Sequence, residues 1–201
     1  MKLLRPQSIR RTDQPCGQVR RLTVVGYGFG DFGFNLYATG LNLYLLYYYT
    51  DVLGIDPAVA GFIFMIPVIW DGISDPLMGW IASRTRTREG KFRPYILVGA
   101  PFVGLSFVGM FAAPVWFPDQ VVAASLVSHI VFRTLYTVAS VPYSSLSAAI
   151  TYDSQKRGTM AAVRMMSAMA GGVVTAATMP ELASYFSGGN LREGFIMAAL
   201  L

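Results

Sequence analysis

Asp71 and Asp75 stand one helical turn apart in an apolar stretch that also holds Trp70, Ile73 and Trp80. Carboxylates at that spacing share one face of a helix. There their oxygens can bind a hard monovalent cation such as Na+, or one of them can take a proton instead. Asp31 and Arg133 lie in equally apolar surroundings. An ionisable group inside a membrane span costs about 2.5–3.5 kcal/mol on insertion scales, so four of them cost on the order of 10 kcal/mol. Such a burden calls for ion pairing, a water-filled cavity or both.

Helical geometry shows where the other polar groups point. At 100° per residue, Asp31, Asn35, Thr39 and Asn42 fall within an arc of about 80°. Arg133, Thr137, Ser140 and Ser144 form a second stripe, with Tyr136 and His129 at its edge. An aqueous cavity is the common destination of these stripes. Hydrogen bonding between helices accounts equally well for Thr39, Ser140 and Ser144. An ion pair between Asp71 and Arg133 is a purely structural alternative for those two residues. Thr137 adds an oxygen ligand to the aspartates if its helix packs beside theirs. His129, the single histidine, has no second metal-type ligand nearby and reads as a packing residue, as do Met165, Met166 and Met169.

The elements that carry these residues are membrane spans. Of 201 residues 54% are hydrophobic and 13% charged, against about 25% charged in a soluble domain. Apolar runs of about 20 residues fall at 24–49, 58–83, 95–113, 121–150 and 159–186, and a sixth opens at Phe195. Continuous apolar segments favour helices over the alternation of barrel strands. The one cysteine, Cys16, makes no internal disulfide or multi-cysteine metal site.

Charge fixes the expected orientation. Lys2, Arg5, Arg10, Arg11, Arg20 and Arg21 precede the first span; Arg84, Arg86, Arg88, Lys91 and Arg93 follow the second; Lys156 and Arg157 follow the fourth. The connections 50–57, 114–120 and 187–194 carry only Arg192. The positive-inside rule places a basic tail, residues 1–23, in the cytoplasm. The net charge of +5 then reflects topology and not a nucleic-acid partner. The first 21 residues hold no apolar segment of the kind a cleavable signal peptide needs, so the first span is expected to direct its own insertion.

Two other chemistries are suggested and set aside. Gly28, Gly30 and Gly33 spell G-x-G-x-x-G, but a dinucleotide site needs a strand, a turn and a helix there. In a membrane span the glycines instead permit close helix packing. The aspartate pair could hold magnesium in an intramembrane prenyl or phosphatidyl transferase, yet no second acidic cluster is present to complete such a site.

Longer motifs carry a family resemblance. Tyr27-Gly-Phe-Gly30, Tyr47-Tyr-Tyr-Thr-Asp-Val52, Ile69-Trp-Asp-Gly-Ile-Ser-Asp-Pro76 with Met78-Gly-Trp80, Arg84-Thr-Arg-Thr-Arg88, Gly90-Lys-Phe-Arg-Pro94 and Leu135-Tyr-Thr-Val-Ala-Ser-Val-Pro-Tyr143 run in order along the chain. Together they resemble the glycoside–pentoside–hexuronide:cation symporters, the melibiose-permease-like branch of the major facilitator superfamily. The resemblance implies twelve helices in two six-helix halves, of which this chain is similar to the N-terminal one. It also implies a cation site at Asp71, Asp75 and Thr137, with Ser74 where the melibiose permease has Asn. Asn35 and Ser140 fall where that permease has sugar-binding acids, Ser144 where it has a stacking Trp, and Arg164 where it has a sugar-contacting Arg. Gly79, Arg84, Arg86, Lys91 and Arg93 lie in a segment similar to the superfamily's basic loop, which braces alternate states.

The expectation is therefore an all-α membrane fold: the N-terminal six-helix half of a major-facilitator transporter, its sixth helix truncated, built as two three-helix repeats. It is expected to be a multi-pass protein of the plasma (inner) membrane and not an enzyme. It needs no cofactor beyond a coupling ion, H+ or Na+, and symports a sugar-like solute by alternating access. Asp31, Asn35, Arg133, Tyr136, Ser140, Ser144 and Arg164 are expected to line the solute site. Asp31, Asp71, Asp75 and Arg133 should face a partner across the cavity, either a C-terminal half or a second copy.

Overall fold

A computed structural model describes residues 21–86, 90–150 and 154–200; among them there are helices and turns and no strand. The basic tail expected at 1–23 lies outside these residues up to position 20, as does Arg88.

Helix α1, Arg21–Gly40, continues through two π-helical turns, Leu41–Leu45 and Tyr48–Val52. It is followed by α2, Pro57–Arg84, and α3, Arg93–Trp116. A short 3-10 turn at Pro118–Gln120 leads into α4, Val121–Ile150, then α5, Ser154–Phe186, and α6, Leu191–Leu200. Local sequence explains the boundaries. The Asp56 side chain accepts the Ala58 N–H at 2.9 Å, with Pro57 at the first helical position. Between α5 and α6 the chain turns on Gly188 and Gly189, both at positive φ.

Helices α2, α3, α4 with its preceding turn, and α5 are each long and apolar enough to cross a membrane. They correspond to the second through fifth expected spans. The first helix is longer than expected, running on to Val52 through its π turns, and the sixth opens at Leu191 instead of Phe195. That earlier start follows from Asn190, whose side chain accepts the Arg192 N–H at 3.2 Å and caps the helix.

In the packing, α1 lies along α5, α4 lies against both α2 and α3, and α6 closes onto α3 and α5. Tyr48, Tyr49, Phe111 and Phe132 are completely buried at the centre, and Tyr48 donates its hydroxyl to the Phe111 carbonyl at 2.7 Å. One tyrosine also repairs a proline break. Pro180 in α5 has no N–H to offer the Ala176 carbonyl, and Tyr44 of α1 donates its hydroxyl there at 2.7 Å. Satisfying freed carbonyls from a neighbouring helix is what makes proline tolerable at membrane depth. Phe62, Ile69, Ile73 and Trp80 on α2 and Met165, Met166 and Met169 on α5 face outward.

Candidate functional site

Two polar centres sit between the helices, each built around an ion pair. The first lies between α2 and α4. Arg133 donates to Asp71 at 2.8 Å, and the two side chains are 20% and 19% exposed. Thr137 donates its hydroxyl to Asp75 at 2.8 Å, and Trp70 donates its indole N–H to Thr134 at 2.9 Å. Both aspartate contacts join residues 62 apart in sequence, so the two helices run parallel and their polar pairs stack one turn above the other. Ser74 is buried in the same seam.

The second centre lies between α1 and α5. Arg164 binds Asp31 through two nitrogens: Nη2 reaches Oδ1 at 3.1 Å, and Nε bonds Oδ2. Tyr27 and Tyr143 stack beside the pair with ring centroids 4.7 Å apart. The Arg164 guanidinium carbon lies 5.3 and 5.4 Å from their ring centres. Tyr27 donates to the Tyr143 carbonyl at 2.8 Å, Tyr143 donates back to the Tyr27 carbonyl, and the Tyr143 hydroxyl stands 3.5 Å from Asp31. Asp31 and Arg164, with Ala161, Met165 and Ala168, line an open pocket of about 290 Å³. A larger pocket, about 560 Å³, lies between α1, α3, α5 and α6 and has no charged side chain in its wall.

The glycines of α1 explain how this centre closes. A Cβ on Gly30 would lie 2.5 Å from the Tyr143 ring, and one on Gly28 would lie 2.8 Å from Val163 of α5. Gly33 has nothing within 4 Å, so the packing role expected of all three glycines belongs to the first two.

Several expectations are corrected. Asp31, Asp71 and Arg133 are not left as lone charges: Asp31 pairs with Arg164, and Asp71 with Arg133, within this chain. Asp75 alone of the four has only a neutral partner shown here, and it is exposed. The α1 stripe does not turn as one face to water. Asp31 meets α5, Thr39 lies where a Cβ on Gly172 of α5 would be 3.2 Å from its hydroxyl, and Asn35 bonds its own helix at the Asp31 carbonyl. Tyr136 packs edge-on against Phe34 at 5.5 Å, Ser140 is half-buried and Ser144 exposed. In the basic loop, Arg84 lies over the Trp80 ring at 4.2 Å, and Arg86, Lys91 and Arg93 are exposed. Among the described residues no ion pair ties this loop to a helix-end acid. Gly79 faces α4, 3.8 Å from Val141 if given a Cβ.

The tyrosine pair around Arg164 was not singled out, because the stripes were traced through charged, amide and hydroxyl side chains; Tyr27 stands one turn before Asp31 on the same face. Asp75 and Thr137 are joined directly, and Asp71 and Ser74 place further carboxylate and hydroxyl oxygens in the same seam. Among the described residues no group of three or more His, Cys, Asp or Glu is placed to hold a metal ion.

Comparison with known proteins agrees with this architecture. Residues 26–201 match the family described as MFS/sugar transport protein. The symporter YnaJ of Bacillus subtilis (strain 168) is 40% identical over 164 residues, covering 81% of this chain and 35% of its own length. The inner membrane symporter YicJ of Escherichia coli (strain K12) is 34% identical over 171 residues, covering 85% and 37%. The isoprimeverose transporter of Lactiplantibacillus pentosus is 32% identical over 178 residues, covering 87% and 37%. The chain thus spans little more than a third of the length of these curated relatives.

Proposed function

This chain belongs to the MFS/sugar transport protein family, in its glycoside:cation symporter branch, and we propose that it forms the N-terminal bundle of a cation-coupled symporter for a sugar-like solute. The observation that carries the reading is the charge balance at membrane depth. Asp31 and Asp71 are each matched by an arginine, whereas Asp75 meets only the Thr137 hydroxyl. One uncompensated carboxylate asks for one positive charge, which a coupling cation supplies on each cycle. Asp71 and Ser74 lie within one turn of it on the same helix and could add further oxygens.

The solute reading rests on the second centre. Arg164 is already oriented by Asp31 and flanked by the Tyr27 and Tyr143 rings beside the open pocket. A guanidinium held in place by Asp31 and the two buried tyrosines offers its remaining N–H groups to solute hydroxyls in fixed directions. The isoprimeverose transporter among the relatives supports a sugar-like cargo. Alternating access needs a second bundle rocking against this one about a midplane site, either a C-terminal half or a second copy. The basic tail and loop support a cytoplasmic N-terminus in the plasma membrane.

The test is uptake of a panel of pentosides, hexosides and hexuronides into vesicles bearing the complete reading frame that contains this chain. Imposed proton and sodium gradients are compared with no gradient. Accumulation of a sugar-like solute under either gradient supports the reading; uptake indifferent to both gradients contradicts it.

A further inference from the structure

From the first centre a buried polar line runs on along the α2–α4 seam, through two residues of α4 that neither centre uses, Ser125 and His129. Ser125 and His129 are completely buried. Ser125 Oγ, both ring nitrogens of His129, Arg133 Nε, Asp71 Oδ1 and Ser74 Oγ have no hydrogen-bond partner in the protein. Among the described residues these are the buried side-chain polar atoms left so, and all belong to α2 or α4. On α4 they recur at 125, 129 and 133, with Thr137 next, one turn apart along about 18 Å of helix. Buried polar atoms are as a rule paired with protein or with ordered water, so a line of unpaired ones marks a line of water sites. Helix α2 adds an acceptor. Buried Pro67 has no N–H for the Ile63 carbonyl one turn before it, and the His129 ring lies beside that carbonyl without the geometry of a full hydrogen bond.

We propose that this seam is a hydrated proton path, entered beside Ser125 at the end of α4 that carries the Pro118–Gln120 turn and leading to the aspartates. The proposal rests on the reading of Asp71 and Asp75 as the coupling centre, and it names the coupling cation as a proton. His129 is the relay. A water on the Ser125 side gives a proton to one ring nitrogen while the opposite nitrogen releases its own to the next water. The imidazole ends with the charge it began with and its tautomer reversed. Asp71 Oδ1, left free by Arg133, is the first carboxylate oxygen on the way, and Asp75 lies one turn beyond. The charged group beside the ring is Arg133 on its own helix, and Tyr49 of the second π turn stands one turn away at Ser125. The Tyr49 hydroxyl donates to the Ser125 carbonyl at 3.4 Å. Phe64 closes the ring's side edge-on at 5.4 Å. No carboxylate stands between Ser125 and Asp71, so the path offers a proton successive stations and a metal cation none.

His129 is the only histidine of these 201 residues, so 15N-histidine labelling of the complete reading frame in lipid nanodiscs, compared with its His129→Gln variant, isolates the signal of this imidazole. Solid-state NMR is expected to show magnetisation passing from water to this ring. Ser125→Val, which plugs the entrance without touching the relay, is expected to slow the ring's N–H exchange with bulk water about tenfold. Asp71→Asn is expected to change its tautomer ratio. A dry ring overturns the proposal. So does a wet ring whose exchange ignores Ser125→Val and whose tautomers ignore Asp71→Asn, which would mean structural water only. Either failure leaves the transporter reading standing, since that is decided by solute uptake and by Asp75→Asn.

Discussion

Asp31 on the first helix and Arg164 on the fifth, 133 residues apart in sequence, are held to each other by two hydrogen bonds. The contact clamps α1 to α5 beside the pocket and turns two costly charges into one neutral, oriented group. Tyr27 and Tyr143 complete the enclosure. A partly buried pair of this kind adds little net stability when whole, but removing one partner leaves the other charge without its match.

Arg164→Ala is accordingly expected to lower stability by about 1–3 kcal/mol, read as a loss of folded protein in a detergent thermal-unfolding assay. Adding Asp31→Asn to the same chain should recover most of that loss while solute affinity stays low. If the second substitution recovers nothing, the pair is not what Arg164 contributes to the fold.

The two glycines of the same helix should separate cleanly. A methyl on Gly30 meets the Tyr143 ring at 2.5 Å, so Gly30→Ala is expected to destabilise by about 1–3 kcal/mol through overpacking. Gly33→Ala meets nothing within 4 Å and should be neutral or stabilising by up to about 1 kcal/mol, from helix propensity alone. Equal thermal shifts in the two variants would contradict the packing described.

Most of the fold is written in one dimension. Apolar runs long enough to cross a bilayer are local properties, so the second to fifth spans read directly from residues 58–186. The basic clusters at Arg84–Arg93 are equally local. Which charged residues lie at membrane depth was legible; how they pair was not. Asp71 with Arg133 could be weighed because both sit at membrane depth, yet sequence cannot say that α2 and α4 run side by side in register. The Asp31–Arg164 clamp depends on α1 lying along α5, and no spacing within either helix encodes that. The π turns at Leu41–Leu45 and Tyr48–Val52 were likewise invisible, since a π turn follows from tertiary packing and not from propensity. His129 read as a packing residue because its lack of partners appears only once α2 is laid against it.

Arg133→Gln is expected to release Asp71 as a second uncompensated acid one turn from Asp75. The coupling centre would then attract positive charge more strongly, and the apparent affinity for the coupling cation should rise about tenfold, a change of about 1.4 kcal/mol. The check is the cation-concentration dependence of solute uptake. An unchanged half-saturating concentration would mean that Asp71 plays no part in the centre.

The most direct test of the account is gradient-driven accumulation by Asp75→Asn in the complete reading frame. Asp75 is the one membrane-depth aspartate here matched by no arginine, so the account assigns it the coupling charge. The variant should fold, should still exchange labelled for unlabelled solute down no gradient, and should accumulate none under an imposed proton or sodium gradient. Undiminished accumulation by the variant would contradict the account.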